Sequence, residues 1–456
     1  MRALSHYLTA RFALLPVLEG LVLVQSMVLG FELRVSSDQF LGSLVHGIVF
    51  AAVMLLVMTT FGLYDTHAEP FRMTVQRILS AYLVTLAIGT LVFYLFPEAT
   101  VGRGIFALAS VFALMGLFVV RYAAHRAAAL QMPTSRVLVV GDGPEANEVV
   151  NLLRIPRNGR AARFAAQVRV GPPGESLATD ADIDAAALPR VVRQRRISEI
   201  VVALRERRGG QEPLANLLAC KLMGVQILDL ASFFERERGL IKLEYLRSSW
   251  LIYGGGFDQS RLRVLIKRGF DLAASSALLI VASPVMVLTA LAVRLESDGP
   301  VLFKQERICE GGAVFRMLKF RSMRQDAEKD GTPKWSSVID DRVTRVGRVI
   351  RRLRIDELPQ LLNVLKGDMS FVGPRPERPF FVSQLAAQIP YYELRHNVKP
   401  GITGWAQVRL EYCASVDDAR EKLQYDLYYV KNHSLFLDLM ILFETIQVVL
   451  LRKGSR

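Results

Sequence analysis

Asp356 and Glu357 are the residues of this 456-residue chain best suited to covalent chemistry. They are adjacent, a run of arginines precedes them, and the turn Gly373-Pro374-Arg375-Pro376 follows. Acid beside base at this density points to a metal-assisted reaction on a phosphate. An ionised carboxylate can attack phosphorus and form an acyl phosphate. A second carboxylate beside it can hold Mg²⁺, which binds through one or two carboxylates plus substrate phosphates. The same pair also reads as an ordinary helix cap with a Glu in the first turn.

Several elements must position this pair. Leu358, Leu361, Leu362 and Leu365 recur at helical spacing and predict a short amphipathic helix. Asp356 stands where its N-cap belongs, Pro359 falls in its first turn and Gly367 is placed to end it. The helix dipole then keeps Asp356 ionised and near a bound phosphate. Upstream, Arg342, Arg345, Arg348 and Arg351 at a spacing of three predict one basic helical face, with Arg352 and Arg354 beyond it. Arginine binds phosphate oxygens as a bidentate fork, so the stripe suits a diphosphate; it suits adhesion to a membrane surface too. Earlier still, Phe303–Arg307 and Phe315–Met323 alternate like strands and carry Lys304, Arg307, Arg316, Lys319 and Arg321, with Arg324 just beyond. Such runs are commonly solvated or lipid-facing. Pro374 and Pro376 restrict the backbone around Arg375 and lower the entropy cost of holding its guanidinium.

Hydrophobic residues make up 51% of the chain, and mean hydropathy is +0.27. The apolar residues concentrate in long runs, so the chain reads as a membrane protein. A net charge of +14 matches anionic headgroups and phosphorylated substrates rather than nucleic acid. Cys220, Cys309 and Cys413 are far apart and fit neither a disulfide framework nor a zinc site. The N-terminus lacks a small-residue cleavage site and runs into further apolar segments.

Four such segments, about Phe12–Phe31, Leu41–Leu63, Ile78–Phe96 and Gly104–Tyr122, approach the roughly 20 residues a spanning helix needs. Arg2, Arg11, Arg72, Arg77, Arg121, Arg126 and Arg136 put both ends of this bundle, residues 1–130, on the cytoplasmic side; the other two loops hold only Arg34 and Arg103. Glu19 within the first span is either functional or faces a helix partner or the interface. Residues 135–230 alternate strands (Arg136–Val140, Ala165–Val170, Glu199–Ala203, Val225–Leu230) with helical stretches, which predicts a small parallel α/β domain. Its Gly141-Asp142-Gly143-Pro144-Glu145-Ala146 turn resembles a dinucleotide fingerprint, although the two acids would crowd a pyrophosphate. Nucleotide binding, regulation and assembly all stay open for this domain, homodimerisation among them. Residues 231–262 read as a linker with a Gly254-Gly255-Gly256 hinge.

A fifth apolar segment, 270–293, is interrupted by Ser283-Pro284. Proline kinks a helix and serine can satisfy the freed carbonyl, so we read a re-entrant helix that dips into one leaflet and returns. A kinked spanning helix is the alternative. The tail, Ser434–Leu451, reads as an amphipathic helix lying on the membrane, packed on this hairpin, or in a core.

Together these motifs resemble the bacterial sugar transferases, the monotopic phosphoglycosyl transferases that load a sugar phosphate onto undecaprenyl phosphate. The resemblance is dense over Val264–Leu451 and looser elsewhere; the segment around EKLQYDLYYVKN looks closest to the exopolysaccharide- and exosortase-associated subgroup. It implies a fold of four transmembrane helices, a Rossmann-like α/β domain and a mainly helical catalytic domain, residues 263–456, with a Ser-Pro re-entrant helix. It implies transfer of sugar-1-phosphate from a UDP-sugar to undecaprenyl phosphate with release of UMP, at the cytoplasmic face of a bacterial inner membrane. Asp356 is the implied nucleophile, Glu357 the Mg²⁺ ligand and Arg351 the active-site arginine five residues before the nucleophile. Lys319 and Arg321 match the KFRSM motif near the active site. Pro374, Arg375 and Pro376 form the turn on the nucleotide side, and Tyr392–Arg395 and Lys399–Val408 match another family block. Lys304, Arg307 and Arg395 are further substrate-binding candidates, and Thr403 and Gln407 less specific ones; Trp405 is an interfacial anchor or core. The bulky Arg351-Arg352-Leu353-Arg354 run departs from many relatives, so sugar preference does not transfer. A membrane-anchored NAD-dependent epimerase would need a Tyr-x-x-x-Lys pair, and none occurs between Val137 and Leu230. A non-catalytic scaffold would tolerate loss of Asp356.

Overall fold

The computed structural model describes residues 10–34, 40–61, 63–64, 71–95, 102–130, 136–141, 143–154, 164–171, 182–184, 187–204, 214–257, 260–324, 342–410 and 415–451. Arg2, Asp142 and Cys413 lie outside them. The chain divides into two units, Met1–Glu237 and Arg238–Arg456.

In the first unit the apolar runs fold as α1 (Ala10–Glu32), α2 (Phe40–Thr60), α3 (Phe71–Leu95) and α4 (Arg103–Leu130). Stretches of α1, α2 and α4 are long and apolar enough to cross a membrane, and the 25 residues of α3 reach the same length. This is a membrane protein. Leu23, Met54, Met58, Ile78 and Leu117 interdigitate in the bundle core. Small residues bring the backbones close; a side chain at Gly30 or Gly47 would meet the neighbouring helix. Glu19 faces partners: it accepts from Arg121 of α4 and from the Tyr64 hydroxyl, while Arg121 Nη1 donates to the Leu63 carbonyl at 2.8 Å. The buried charge is thereby neutralised within the bundle.

The α/β region supplies β1 (Val137–Val140), α5 (Pro144–Arg154), β2 (Phe164–Gly171), β3 (Asp182–Asp184), α6 (Leu188–Gln194), β4 (Glu199–Val202), α7 (Leu214–Leu222) and β5 (Gln226–Asp229). All strands are parallel, in the order β3-β2-β1-β4-β5 expected of a Rossmann-like sheet. All four residues of β1 are buried, which explains its unbroken apolar sequence. β3 is too short to announce itself by alternation. Gly141 has φ 143°, and a Cβ there would strike the Ala203 carbonyl, so the first glycine of the fingerprint is required by packing against β4's end.

The presumed linker is largely helical: α8 (Leu230–Arg238) buries Phe233 and Phe234, and α9 (Ser248–Tyr253) follows. Gly256 has φ 121° and abuts Lys431, so it serves a packed turn rather than a hinge. The second unit continues with α10 (Arg261–Glu296), β6 (Leu302–Ile308), β7 (Val314–Phe320), α11 (Arg345–Arg352), α12 (Gln360–Lys366), β8 (Ser370–Val372), α13 (Pro379–Gln388), β9 (Gly401–Thr403), α14 (Trp405–Arg409), α15 (Val416–Asn432) and α16 (Leu435–Leu451). It is mainly helical, with an antiparallel β6–β7 ribbon and a short parallel β8–β9 pair.

α10 runs helical through Ser283-Pro284 for 36 residues, where a helix-break-helix was expected. Pro284 has no N–H for the Ile280 carbonyl, and Ser283 Oγ donates to that carbonyl at 2.8 Å. Both ends of α10 are tied to the rest of the second unit. Near its start, Lys267 pairs with Asp438 at 2.7 Å, Arg268 donates to the Val364 and Leu365 carbonyls, and Asp271 accepts from Ser370 and the Phe371 N–H. Near its end, Val293 packs on Phe320 and Ile350. Ile280, Val281, Val287 and Leu288 between them are exposed. The Lys267–Asp438 pair also docks α16 on α10, so the tail packs on this helix. Trp405 is core: it is buried and donates to the Gly239 carbonyl at 2.8 Å.

Candidate active site

Glu296, at the end of α10, accepts from the Arg345 and Val346 N–H groups at 2.7 and 3.1 Å. The Thr344 side chain accepts from the Gly347 N–H at 2.9 Å. These acceptors satisfy the exposed amides of α11 and fix where it begins. Arg342 therefore lies outside the helix, and the basic stripe shortens to Arg345, Arg348 and Arg351. Arg354 then adopts φ 58°, a left-handed conformation that costs a non-glycine residue about 1–2 kcal/mol. The chain turns there into a 3₁₀ segment, Ile355–Glu357, that carries both carboxylates.

Asp356 is thus not the cap of α12. Pro359 occupies that position, and i→i−3 bonds link Ile355 through Leu362. Gly367 ends the helix as expected, at φ 101°. The buried face of α12 is Gln360, Leu361, Asn363 and Val364, while Leu362 is exposed. Asn363 accepts from the Leu318 N–H and donates to the Arg316 carbonyl, both at 2.9 Å, which fastens the carboxylate turn to β7.

β7 brings Lys319 to Glu357: Nζ lies 3.3 Å from Oε1. Arg375 Nη2 reaches the same oxygen at 2.8 Å. Burial would raise the Glu357 pKa, but the Arg375 and Lys319 cations outweigh it and hold this carboxyl well below the usual range. Burial lowers the Lys319 pKa against the pull of Glu357. Asp356 differs. It is buried, and among the described residues it has no hydrogen-bond or ion-pair partner. Burial and the Glu357 charge raise its pKa, with Lys319, Arg375 and Arg351 pulling the other way. Arg351 therefore acts on Asp356 through space.

The Pro-Arg-Pro turn is held from several directions. Gly373 N–H donates to the Thr403 carbonyl at 2.9 Å and Gly401 N–H to the Pro374 carbonyl at 3.0 Å. Arg307 Nη1 donates to the Pro376 carbonyl at 3.0 Å and lies 3.6 Å from Glu377; burial lowers its pKa to about 10. Arg395 is 2% exposed; it donates to the Arg375 carbonyl at 2.9 Å and to the Tyr392 hydroxyl at 2.8 Å, and pairs with Asp426 at 2.8 Å. Arg307 and Arg395 thus bind the backbone that presents Arg375. A small pocket lined by Cys309, Pro374, Arg375, His396 and Pro400 borders the turn.

Two other candidates stand apart. Arg321 donates to the Asp298 and Ser297 carbonyls at 2.7 Å, closing the end of α10. Lys304 is exposed opposite Leu318, on the other face of the ribbon from Lys319 and Arg307. Asn363, Glu377, Lys422 and Asp426 are supporting residues that no motif or spacing marks. Thr403 bonds to Thr445 at 2.6 Å, a structural contact.

The donor set fits Mg²⁺. Among the described residues no cluster of three or more His, Cys, Asp or Glu forms a metal cage. Glu357 Oε2, free of the two cations on Oε1, and Asp356 supply the one or two carboxylates that Mg²⁺ combines with phosphate oxygens.

The family model described as bacterial sugar transferase matches residues 262–452, and one described as CoA-binding domain matches 59–211. The chain is 46% identical over 240 residues to the UDP-N-acetylgalactosamine-undecaprenyl-phosphate N-acetylgalactosaminephosphotransferase of Aeromonas hydrophila, covering 53% of this chain and 56% of that protein. It is 44% identical over 190 residues to the UDP-glucose:undecaprenyl-phosphate glucose-1-phosphate transferase of Caulobacter vibrioides, 41% of this chain and 70% of that protein. It is 40% identical over 192 residues to the exopolysaccharide production protein PSS of Rhizobium leguminosarum bv. phaseoli, 40% of this chain and 94% of that protein. The chain spans about half the length of the Aeromonas relative, 56%.

Proposed function

The chain belongs to the bacterial sugar transferase family, and on that premise we propose that it transfers sugar-1-phosphate from a UDP-sugar to undecaprenyl phosphate, as a first step of exopolysaccharide synthesis. One observation carries the reading: Glu357 is pinned by two cations, whereas its neighbour Asp356 has no partner among the described residues. A held carboxylate beside an unengaged one suits a division between charge placement and attack.

Asp356 attacks the sugar-linked phosphorus of the UDP-sugar. A bond forms between its carboxylate oxygen and that phosphorus, the bond to the bridging oxygen breaks, and UMP leaves with the electron pair. The phosphate oxygen of undecaprenyl phosphate then attacks the same phosphorus, giving the lipid diphosphosugar and freeing the Asp356 carboxylate. Arg375 and Arg351 stabilise the charge that moves during both transfers. Glu357, with Asp356 and the substrate phosphates, would hold Mg²⁺, which neutralises diphosphate charge when bound.

The membrane arrangement follows from α10. Its two ends are tied to one unit and its central turns are apolar and exposed, which supports a helix with both ends at the same membrane face. Arginines at both ends of the bundle support a cytoplasmic active site in an inner membrane.

The test is UMP release by nanodisc-embedded protein given undecaprenyl phosphate, Mg²⁺ and a panel of UDP-sugars. We expect one or a few sugars to yield UMP with the wild type and none with Asp356→Asn. Equal UMP from the variant would refute the role of Asp356. No UMP from any sugar with folded protein would refute the donor class.

A further inference from the structure

The parallel sheet of the first unit sorts its connections by edge. The starts of β1, β4 and β5 and the ends of α6 and α7 all meet at one edge; the Gly141 turn lies at the other. Hydrogen bonds join the pieces of the first edge. Arg136 Nη1 donates to the Arg195 carbonyl at 3.0 Å, the Ser198 N–H to the Arg136 carbonyl at 3.1 Å, and the Gln226 N–H to the Ser198 carbonyl at 3.1 Å. Arg193, at the end of α6, reaches the Met223 sulfur just beyond α7.

The exposed side chains of this edge are basic or apolar, and its acids, Glu199 and Glu237, are largely buried in ion pairs with Arg236. Arg136, Arg193, Arg195, Arg196 and Lys221 are exposed around Leu222, which is 81% exposed. Met223 is exposed beside it, and Leu218 and Leu214 continue the apolar line up α7 at four-residue steps. Neither 187–198 nor 214–226 contains an acidic residue. Apolar side chains ringed by cations match an anionic bilayer surface in both shape and charge.

The chain also dictates where this edge can be. α4 ends at Leu130 and Arg136 opens the domain. Six Cα steps of 3.8 Å allow at most about 23 Å between them. The helix that crosses the membrane therefore tethers this edge more closely to the headgroups than the Gly141 edge.

We propose that the edge formed by Arg136, Arg195, Arg196, Lys221 and Leu222 docks the α/β domain on the anionic headgroups of the membrane into which the bundle is inserted. Docking directs the Gly141 turn away from the lipid. The proposal is independent of the transferase reading, because no residue of the edge belongs to the site around Asp356.

The experiment uses the full chain in nanodiscs, with the photoreactive residue benzoylphenylalanine replacing Leu222. Discs contain either phosphatidylcholine alone or phosphatidylcholine with about one third phosphatidylglycerol. After irradiation, mass spectrometry reads the adduct on the peptide that contains position 222. We expect a lipid adduct in the anionic discs, at least about fivefold weaker in the neutral discs and in an Arg195→Glu, Arg196→Glu, Lys221→Glu variant. Retained monodispersity and an unchanged unfolding temperature show that this variant is folded. Absence of a lipid adduct, or equal adducts in both lipids, overturns the proposal. A cross-linked protein dimer in place of the lipid adduct also overturns it, and assigns the face to a second copy of the chain.

Discussion

Replacing Arg395 with Met removes the cation at the centre of the support for the Pro-Arg-Pro turn. Its guanidinium and the Asp426 carboxylate are each 2% exposed and 2.8 Å apart, and the same guanidinium serves the Arg375 carbonyl and the Tyr392 hydroxyl. Removing one partner of such a pair strands the other without water and costs about 3–5 kcal/mol. For a unit of this size each kcal/mol shifts the midpoint by about 2–4 °C, so Arg395→Met should unfold about 6–20 °C lower. Burial already raises the Asp426 pKa, against the pull of Arg395 and Lys422. Without Arg395 it rises further. A buried acid with a raised pKa destabilises the fold when ionised, so the deficit should be full above that pKa and shrink as pH falls through it. The double variant Arg395→Met, Asp426→Leu should recover most of the loss, because no stranded charge remains. The assay is tryptophan fluorescence of the full chain in nanodiscs at one scan rate, with Trp405 buried in the unit as reporter. A shift under 2 °C, or a double variant no better than the single one, would show that the pair does not hold the site.

Glu377 makes a second, pH-dependent contribution: burial opposes its ionisation, but Lys422, Arg395 and Arg307 lower its pKa to about 2 from 4.5. Its stabilisation should be fully present above pH 4.5 and lost as pH falls toward about 2; Lys422→Met should flatten that acid limb of the midpoint–pH curve, and an unaltered limb would exclude the pairing. In the bundle, Glu19→Leu should lower the thermal midpoint by stranding Arg121, at a cost of about 3 kcal/mol, with Arg121→Met added to it restoring part of the loss. A single variant as stable as the wild type would mean that the buried pair does not hold the helices together.

What could be read in the sequence was local. The alternation of the Lys319 strand and Gly367 as a helix end are patterns within a few residues, and each is where its pattern placed it; Ser283 does bond the carbonyl freed by Pro284, but within an unbroken helix, and Asp356 sits in a 3₁₀ turn instead of at a cap. The leucine spacing after Asp356 misled because α12 turns Gln360 and Asn363 inward, and Asn363 is held there by hydrogen bonds to β7 that no hydrophobic period records. Arg342 kept the spacing of three, yet Thr344 and Glu296 start the helix after it. Arg307, Arg321 and Arg395 looked alike as cations; only their distant partners, Pro376, Ser297 and Asp426, show which of them brace the turn and which closes α10. The contrast between Glu357, held by two cations, and Asp356, without a partner among the described residues, has the same origin, since Lys319 and Arg375 come from other elements.

The central claim, attack by Asp356, is tested most directly by single-turnover UMP formation without any lipid acceptor. Wild-type protein in nanodiscs free of undecaprenyl phosphate should release close to one UMP per active site. The peptide containing Asp356 should gain the mass of one sugar phosphate, and Asp356→Asn should do neither. UMP that appears only when the lipid phosphate is added, with no adduct on that peptide, would contradict it.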